Sequence, residues 1–267
     1  MTGLDTLFAQ TRQEGRAALV GYLPAGYPNV RESTDLLSAM IDGGTDLVEV
    51  GVPYSDPVMD GPTIQAAADA ALTAGFRLKN LFEVVESVSA RGGRAVVMTY
   101  WNPVHRYGVD AFARDLAAAG GLGMITPDLT PDEAGDWMAA SQTHGLDRIF
   151  LVAPSSSEER IDLTVKAATG FVYATAVMGV TGARDMVGSG AADLVRRTRA
   201  HTDLPIGVGL GVRSGEQAAE VAGFADAVIV GSALVTKASE GATAVRALAE
   251  ELAEGVRTPH RAAATTA

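Results

Sequence analysis

The sequence has no cysteine. That excludes disulfide cross-links and thiolate metal sites, and it fits a reducing compartment. Histidine is scarce. His105, His144, His201 and His260 are scattered without ligand spacing, so they read as surface or loop residues and no metal site is expected. No apolar run reaches the ~18 residues that suggest a transmembrane helix. The first residues, MTGLDTLFAQTRQEGR, lack a basic stretch followed by an apolar one, so no secretory signal is expected and the expected location is the cytoplasm. Positive charge is in the minority: 21 Lys and Arg stand against 32 Asp and Glu, for a formal net charge of −11. A surface this acidic argues against nucleic acid or an anionic membrane as partner. Signatures of a serine or cysteine triad, short internal repeats, low-complexity tracts and domain boundaries are all missing.

What is there is enough apolar material for one sizeable core, 47% of 267 residues. Such a length is usual for a single α/β barrel, typically ~250 residues. Leu4, Leu7, Phe8 and Thr11 recur at helical spacing, which predicts an amphipathic N-terminal helix able to close the bottom of a barrel. Short apolar, β-branched runs then predict strands at 17–22, 47–50, 95–100, 123–125, 148–152, 171–176, 206–208 and 227–230. Helical patterns fall between them, at 30–42, 63–73, 78–90, 109–119, 131–143, 157–168, 190–199, 214–222 and 242–253. Alternation of this kind implies a parallel sheet with helical crossovers. Eight units point to a single (β/α)₈ TIM barrel with an extra N-terminal helix. The rival is a doubly wound open sheet, but polar or glycine-rich loops follow the strands throughout, with no single switch-point loop. Residues 1–257 are expected to form one barrel domain, and the small, polar tail 258–267 to be disordered.

The most informative stretch is Leu47 to Gln65, LVEVGVPYSDPVMDGPTIQ. A carboxylate, Glu49, interrupts a short apolar strand, where it is costly unless protonated, paired or used. Asp60 lies on the loop that leaves this strand. Two acids around the C-terminal end of one strand form a candidate acid/base pair. The plainer reading of Glu49 is an ion-paired core residue. In a barrel the active site lies at the C-terminal ends of the strands. Tyr100 and Asn102, Tyr173, and Thr181 all fall at such ends or on the loops beyond. Gly209-Leu210-Gly211, Gly231-Ser232 and Gly179-Val180-Thr181-Gly182 follow strands seven, eight and six. Glycine lets backbone amides approach a ligand, and barrels commonly hold phosphate at the loops after strands seven and eight. Trp137 and Met138 sit on a helical pattern and read as core.

The segment EVGVPYSDPVMDGPTIQ closely resembles the signature of the tryptophan synthase alpha subunit family, the indole-3-glycerol-phosphate lyases. Tyr22 to Pro28, Tyr100-Trp101-Asn102-Pro103 and the glycine loops fit the same family, so the resemblance spans roughly residues 15–237. It implies cleavage of indole-3-glycerol phosphate to indole and glyceraldehyde 3-phosphate. Glu49 matches the family's acid/base at indole C3, and Asp60 its partner to the ring N–H. Tyr22, Tyr100, Tyr173, Thr181, Gly182, Gly209, Gly211, Gly231 and Ser232 become candidate substrate-binding residues. Pro53, Asp56, Asp128 and Pro131 become candidates for contact with a beta subunit in an α₂β₂ complex. No cofactor is expected in this chain; the beta subunit would carry pyridoxal phosphate. A stand-alone lyase that releases free indole, or a weakly active protein that mainly activates a beta subunit, are the alternatives. Two departures stand out. Ala176-Val177-Met178 replaces the usual serine before Gly179, and Asp128-Leu129-Thr130 displaces the usual proline to Pro131.

Overall fold

The computed structural model describes residues 3–175 and 189–259. The strands are β1 (Ala18–Pro24), β2 (Leu47–Gly51), β3 (Ala95–Met98), β4 (Gly123–Ile125), β5 (Asp147–Ile149), β6 (Leu151–Val152), β7 (Val172–Thr175), β8 (Ile206–Gly209) and β9 (Ala227–Val230). All pair in parallel, in the order β5-β4-β3-β2-β1-β9-β8-β7-β6. The order begins with β5 and ends with β6, which only Phe150 separates in the chain. The sheet therefore closes on itself as a (β/α)₈ barrel whose fifth strand is split at Phe150, and the open-sheet alternative falls.

The helices are α1 (Gly3–Gln13), α2 (Val30–Asp42), α3 (Pro62–Thr73), α4 (Lys79–Ala90), α5 (Trp101–Tyr107), α6 (Val109–Ala118), α7 (Gly135–His144), α8 (Glu158–Ala167), α9 (Ser189–Arg199), α10 (Gly215–Ala222), α11 (Ser232–Ala238) and α12 (Ala242–Arg257). Side chains cap several of them. The Asn29 side chain accepts the Glu32 amide at 3.0 Å at the start of α2, and Ser214 accepts the Gln217 amide at 3.3 Å at α10, each satisfying a donor that the helix leaves orphaned. Two helices, α5 and α11, stand where the sequence patterns indicate only loops. The pattern over 131–143 resolves into a 3-10 turn, Pro131–Glu133, followed by α7. Among the described residues no helix is long and apolar enough to cross a membrane.

Two apolar layers follow from the period-two alternation of the strands. Outward residues such as Val48, Val50, Val97 and Val208 pack under the helices. Inward residues, among them Val20, Leu47, Val96, Ile149 and Ile229, fill the barrel, where Leu4, Leu7 and Phe8 of α1 join them. Each buried Leu or Phe is worth about 1.5–3 kcal/mol before entropy is set against it. That is the drive that seats α1 beneath the barrel, with the Phe8 ring 5.7 Å from Phe171. Leu47 points inward, so Glu49, two residues on, points inward as well.

Candidate active site

A cavity of about 270 Å³ opens at the C-terminal ends of the strands. Tyr22, Glu49, Met98, Tyr173, Gly209 and Ile229 reach it from the barrel wall. Met59, Asp60, Gly61 and Ile64 come from the β2–α3 connection and α3. Gly211, Gly231 and Ser232 come from the loops beyond β8 and β9. Eight of the expected site residues thus meet at one place: Glu49, Asp60, Tyr22, Tyr173, Gly209, Gly211, Gly231 and Ser232. Tyr100 is not among the lining residues, and Thr181 and Gly182 lie outside the described residues, as does the departure at Ala176 to Met178. Sequence reasoning missed Met98, Ile64 and Ile229, which give the cavity apolar walls. Met98 and Ile229 follow Val96 and Ala227 by two residues, a spacing that places them on the inner face. A second cavity of about 280 Å³ lies by α1, Arg199 and Ala222. It is at the opposite end of the barrel and touches none of the strand ends that carry the acids.

Glu49 is 1% exposed. Its Oε2 has no hydrogen-bond partner among the described residues, and no ion pair there involves it. The reading of Glu49 as an ion-paired core residue therefore fails. Burial pushes its carboxyl up to about 8, and the charge of Asp60 adds to the rise. A carboxyl in that state holds a proton near neutrality. Tyr22 and Tyr173 share the cavity with it. Burial, then the charges of Asp60 and Glu49, push the Tyr22 phenol well above its usual range. Burial and then Glu49 do the same to Tyr173. Both tyrosines are neutral hydroxyls at any working pH.

Two glycines make room for these rings. A Cβ on Gly51 would lie 2.3 Å from the Tyr22 hydroxyl, and one on Gly209 would lie 2.6 Å from that of Tyr173. The β1–β2 register pairs Tyr22 with Glu49, and the β7–β8 register pairs Tyr173 with Gly207. Each tyrosine therefore leans over the glycine two residues beyond its partner. Gly209 has this steric task whatever it does for an anion. Gly211, at φ +70°, forms the turn after β8. Gly231 precedes the first turn of α11, and both it and Ser232 line the cavity.

Asp60 is half-buried, drier than its polar loop suggests. Burial raises its carboxyl, and a hydrogen bond from Tyr100 opposes the rise. Tyr100 is itself buried, and its hydroxyl accepts the Met59 amide at 3.1 Å. Of the residues expected to meet a partner, Pro53 is buried and Asp56 exposed. Val58 and Met59 on the same loop are 75% and 50% exposed. Asp128 is exposed but occupied: its two carboxylate oxygens accept the Trp101 amide at 2.9 and 3.1 Å, at the start of α5. Pro131 opens the 3-10 turn. Trp137 is fully buried, as a core residue should be. His144 contacts Asp110 and His201 contacts Glu158, and no set of three potential metal ligands occurs among the described residues.

A family model for the tryptophan synthase alpha chain matches residues 8–264. The chain belongs to the tryptophan synthase alpha chain family. A member from Nocardia farcinica is 66% identical over 254 residues, which is 95% of this chain and 96% of that one. Another, from Mycolicibacterium paratuberculosis, is 64% identical over 263 residues, 98% of this chain and 96% of its own. Among solved structures, tryptophan synthase of Mycobacterium tuberculosis in space group F222 superposes with a TM-score of 0.91 at 61% identity, covering 96% of this chain and 98% of that one. The tryptophan synthase subunit alpha of Legionella pneumophila superposes at 0.87 with only 29% identity, covering 96% and 98%. The alpha-chain barrel is thus kept where most of the sequence has changed.

Proposed function

We propose that this chain cleaves indole-3-glycerol phosphate to indole and glyceraldehyde 3-phosphate, the alpha reaction of tryptophan synthase in tryptophan biosynthesis. The observation that carries the reading is the pairing of a buried Glu49, held protonated near neutrality, with a half-buried Asp60 at one apolar-walled cavity. An indole ring is a poor leaving group as a carbanion. Glu49 gives its proton to ring carbon C3, which leaves positive character at N1. Asp60 accepts the N1–H hydrogen bond and stabilises that charge. The bond from C3 to the glycerol carbon then breaks and its electron pair returns to the ring. The hydroxyl on that carbon becomes the aldehyde carbonyl as its proton passes to the Glu49 carboxylate, which restores the acid. The substrate phosphate sits at the amides of Gly211, Gly231 and Ser232, and the indole lies against Ile64, Met98 and Ile229.

The reading assigns the chain no cofactor of its own. A beta chain carrying pyridoxal phosphate would take up the indole, docking on the Pro53–Asp60 loop and the Asp128–Pro131 region. Exposed Val58 and Met59 beside the cavity mouth support that surface. Neither the stand-alone lyase nor the weakly active partner is favoured by the comparisons. The test is to incubate the purified chain with indole-3-glycerol phosphate and then add a beta chain. Indole should form slowly alone and faster with the partner. No indole under either condition would contradict the reading, and a rate unchanged by the beta chain would favour the stand-alone enzyme.

A further inference from the structure

We propose that Tyr100 is a positioning residue for Asp60, the head of a staple that fixes both ends of the loop 54–60, and that it does not touch the substrate. The inference rests on the role given to Asp60 above. Tyr100 is 5% exposed, and it is absent from the cavity lining that includes Met59 and Asp60. Its hydroxyl has one proton to give and lone pairs to receive with. It donates to the Asp60 carboxylate and accepts the Met59 amide at 3.1 Å. Both groups belong to the far end of the loop. At the near end, the Asn102 amide donates to the Tyr54 hydroxyl at 3.1 Å, and the Tyr54 ring lies 5.3 Å from that of Tyr100. The staple is itself fixed from the next strand, because Asp128 accepts the Trp101 amide with both oxygens. The Tyr-x-Asn element of the sequence thereby has a mechanical task. Tyr100 holds one end of the loop and Asn102 the other, with α5 as their common base.

The titratable groups facing Asp60 among the described residues are Glu49 on β2, Tyr22 on β1 and Tyr100 at the end of β3. Of these only Tyr100 hydrogen-bonds Asp60, and that bond favours the ionised carboxylate. Without the hydroxyl, burial acts unopposed. Asp60 then takes up a proton at higher pH, and the ionised form that the reaction needs is lost sooner as pH falls.

The experiment measures kcat and KM against pH for the parent, Tyr100→Phe and Asp60→Asn, each with a beta chain present. Hydrogen bonds to charged groups are the strong ones, so kcat of Tyr100→Phe should fall roughly tenfold to a hundredfold. KM should stay within about threefold, since the hydroxyl meets no substrate. The acid limb of kcat should move to higher pH. A rise in KM with kcat kept would place the hydroxyl on the substrate and overturn the proposal. So would a fall in kcat with the acid limb unmoved, which marks a merely structural role, and so would parent behaviour throughout. If Tyr100→Phe does not fold, Asn102→Ala decides in its place. Asn102 is exposed, and releasing Tyr54 should lower kcat while KM holds; parent kinetics there would overturn the staple. Asp60→Asn separates the two levels. Parent activity in it would remove the role of Asp60 itself. Its near-loss, beside an unmoved Tyr100→Phe, would leave that role standing and remove only the staple.

Discussion

At the scale of single residues, the decisive contrast is between two carboxyls on one strand-and-loop unit. Glu49 was legible because a charge in a short apolar run has no cheap explanation. That its Oε2 is buried without a hydrogen-bond partner among the described residues was not legible, because that depends on which neighbours the closed barrel brings. The dryness of Asp60 was hidden for the same reason: its loop is polar, yet it folds back over the cavity. Glu49 has an ordinary value of 4.5 and titrates at about 8 here. Between those two pH values the folded chain keeps a proton that the unfolded chain has released. Stability therefore falls as pH rises through that window and is level above it. Glu49→Gln removes the titration, so this variant should be more stable than the parent at about pH 9, by on the order of a few kcal/mol, and melt close to it at about pH 4. Thermal unfolding at both pH values checks this, and equal melting at the higher one would mean that Glu49 is not held neutral by burial. Asp60→Asn should lose most activity but keep a remainder, since an amide oxygen still accepts the ring N–H. Full activity in steady-state assays would remove Asp60 from the mechanism.

Among the elements, strands with clear β-branched runs and helices with strong periodicity were readable in place, as β9 (Ala227–Val230) and α2 (Val30–Asp42) show. Two helices were not. The Trp101-Asn102-Pro103 start of α5 looks like loop punctuation, although proline is tolerated in the first turn of a helix. The seven residues of α11 are too short for a period to show. The break at Phe150 also left no mark, because an unbroken apolar run does not reveal where a strand is interrupted. Close packing between elements was equally invisible. Gly51 reads as turn punctuation, yet a Cβ there would meet the Tyr22 hydroxyl at 2.3 Å. Gly51→Ala should therefore displace the Tyr22 ring beside Glu49, costing about 1–3 kcal/mol in stability and lowering kcat/KM at least tenfold. Denaturation and steady-state kinetics would show it, and parent values in both would mean the ring is free to move. The anion end can be tested separately at Gly231, where a Cβ would make only ordinary contact, 3.7 Å from Tyr22. Gly231→Asp places a negative charge at the proposed phosphate site and should raise KM strongly while the chain still folds. An unchanged KM would put the phosphate elsewhere.

For the whole molecule, the TIM-barrel architecture follows from counting strand–helix units, and closure follows from the β5–β6 junction. The architecture gathers residues from β1, β2, β3, β7, β8 and β9 at one end, which no single motif could show. Partner docking is the property least visible in one chain. Asp128, expected on that surface, is already holding α5, and Pro53 is buried, which leaves Ser55, Asp56, Val58 and Met59 as the exposed part of the loop. Size measurement with and without a beta chain at micromolar concentration should show a complex, and no shift together with no change in rate would argue against one. The central claim, that the Glu49 proton drives carbon–carbon cleavage, is tested most directly by single-turnover release of indole from indole-3-glycerol phosphate. Positioned acid–base catalysis is worth ~10²–10⁴-fold, and among the described residues Glu49 is the one fully buried acid that lines the cavity. Glu49→Gln should bind the substrate with parent affinity and release almost no indole. Release within about tenfold of the parent would show that Glu49 is a buried structural carboxyl and that the proton comes from elsewhere.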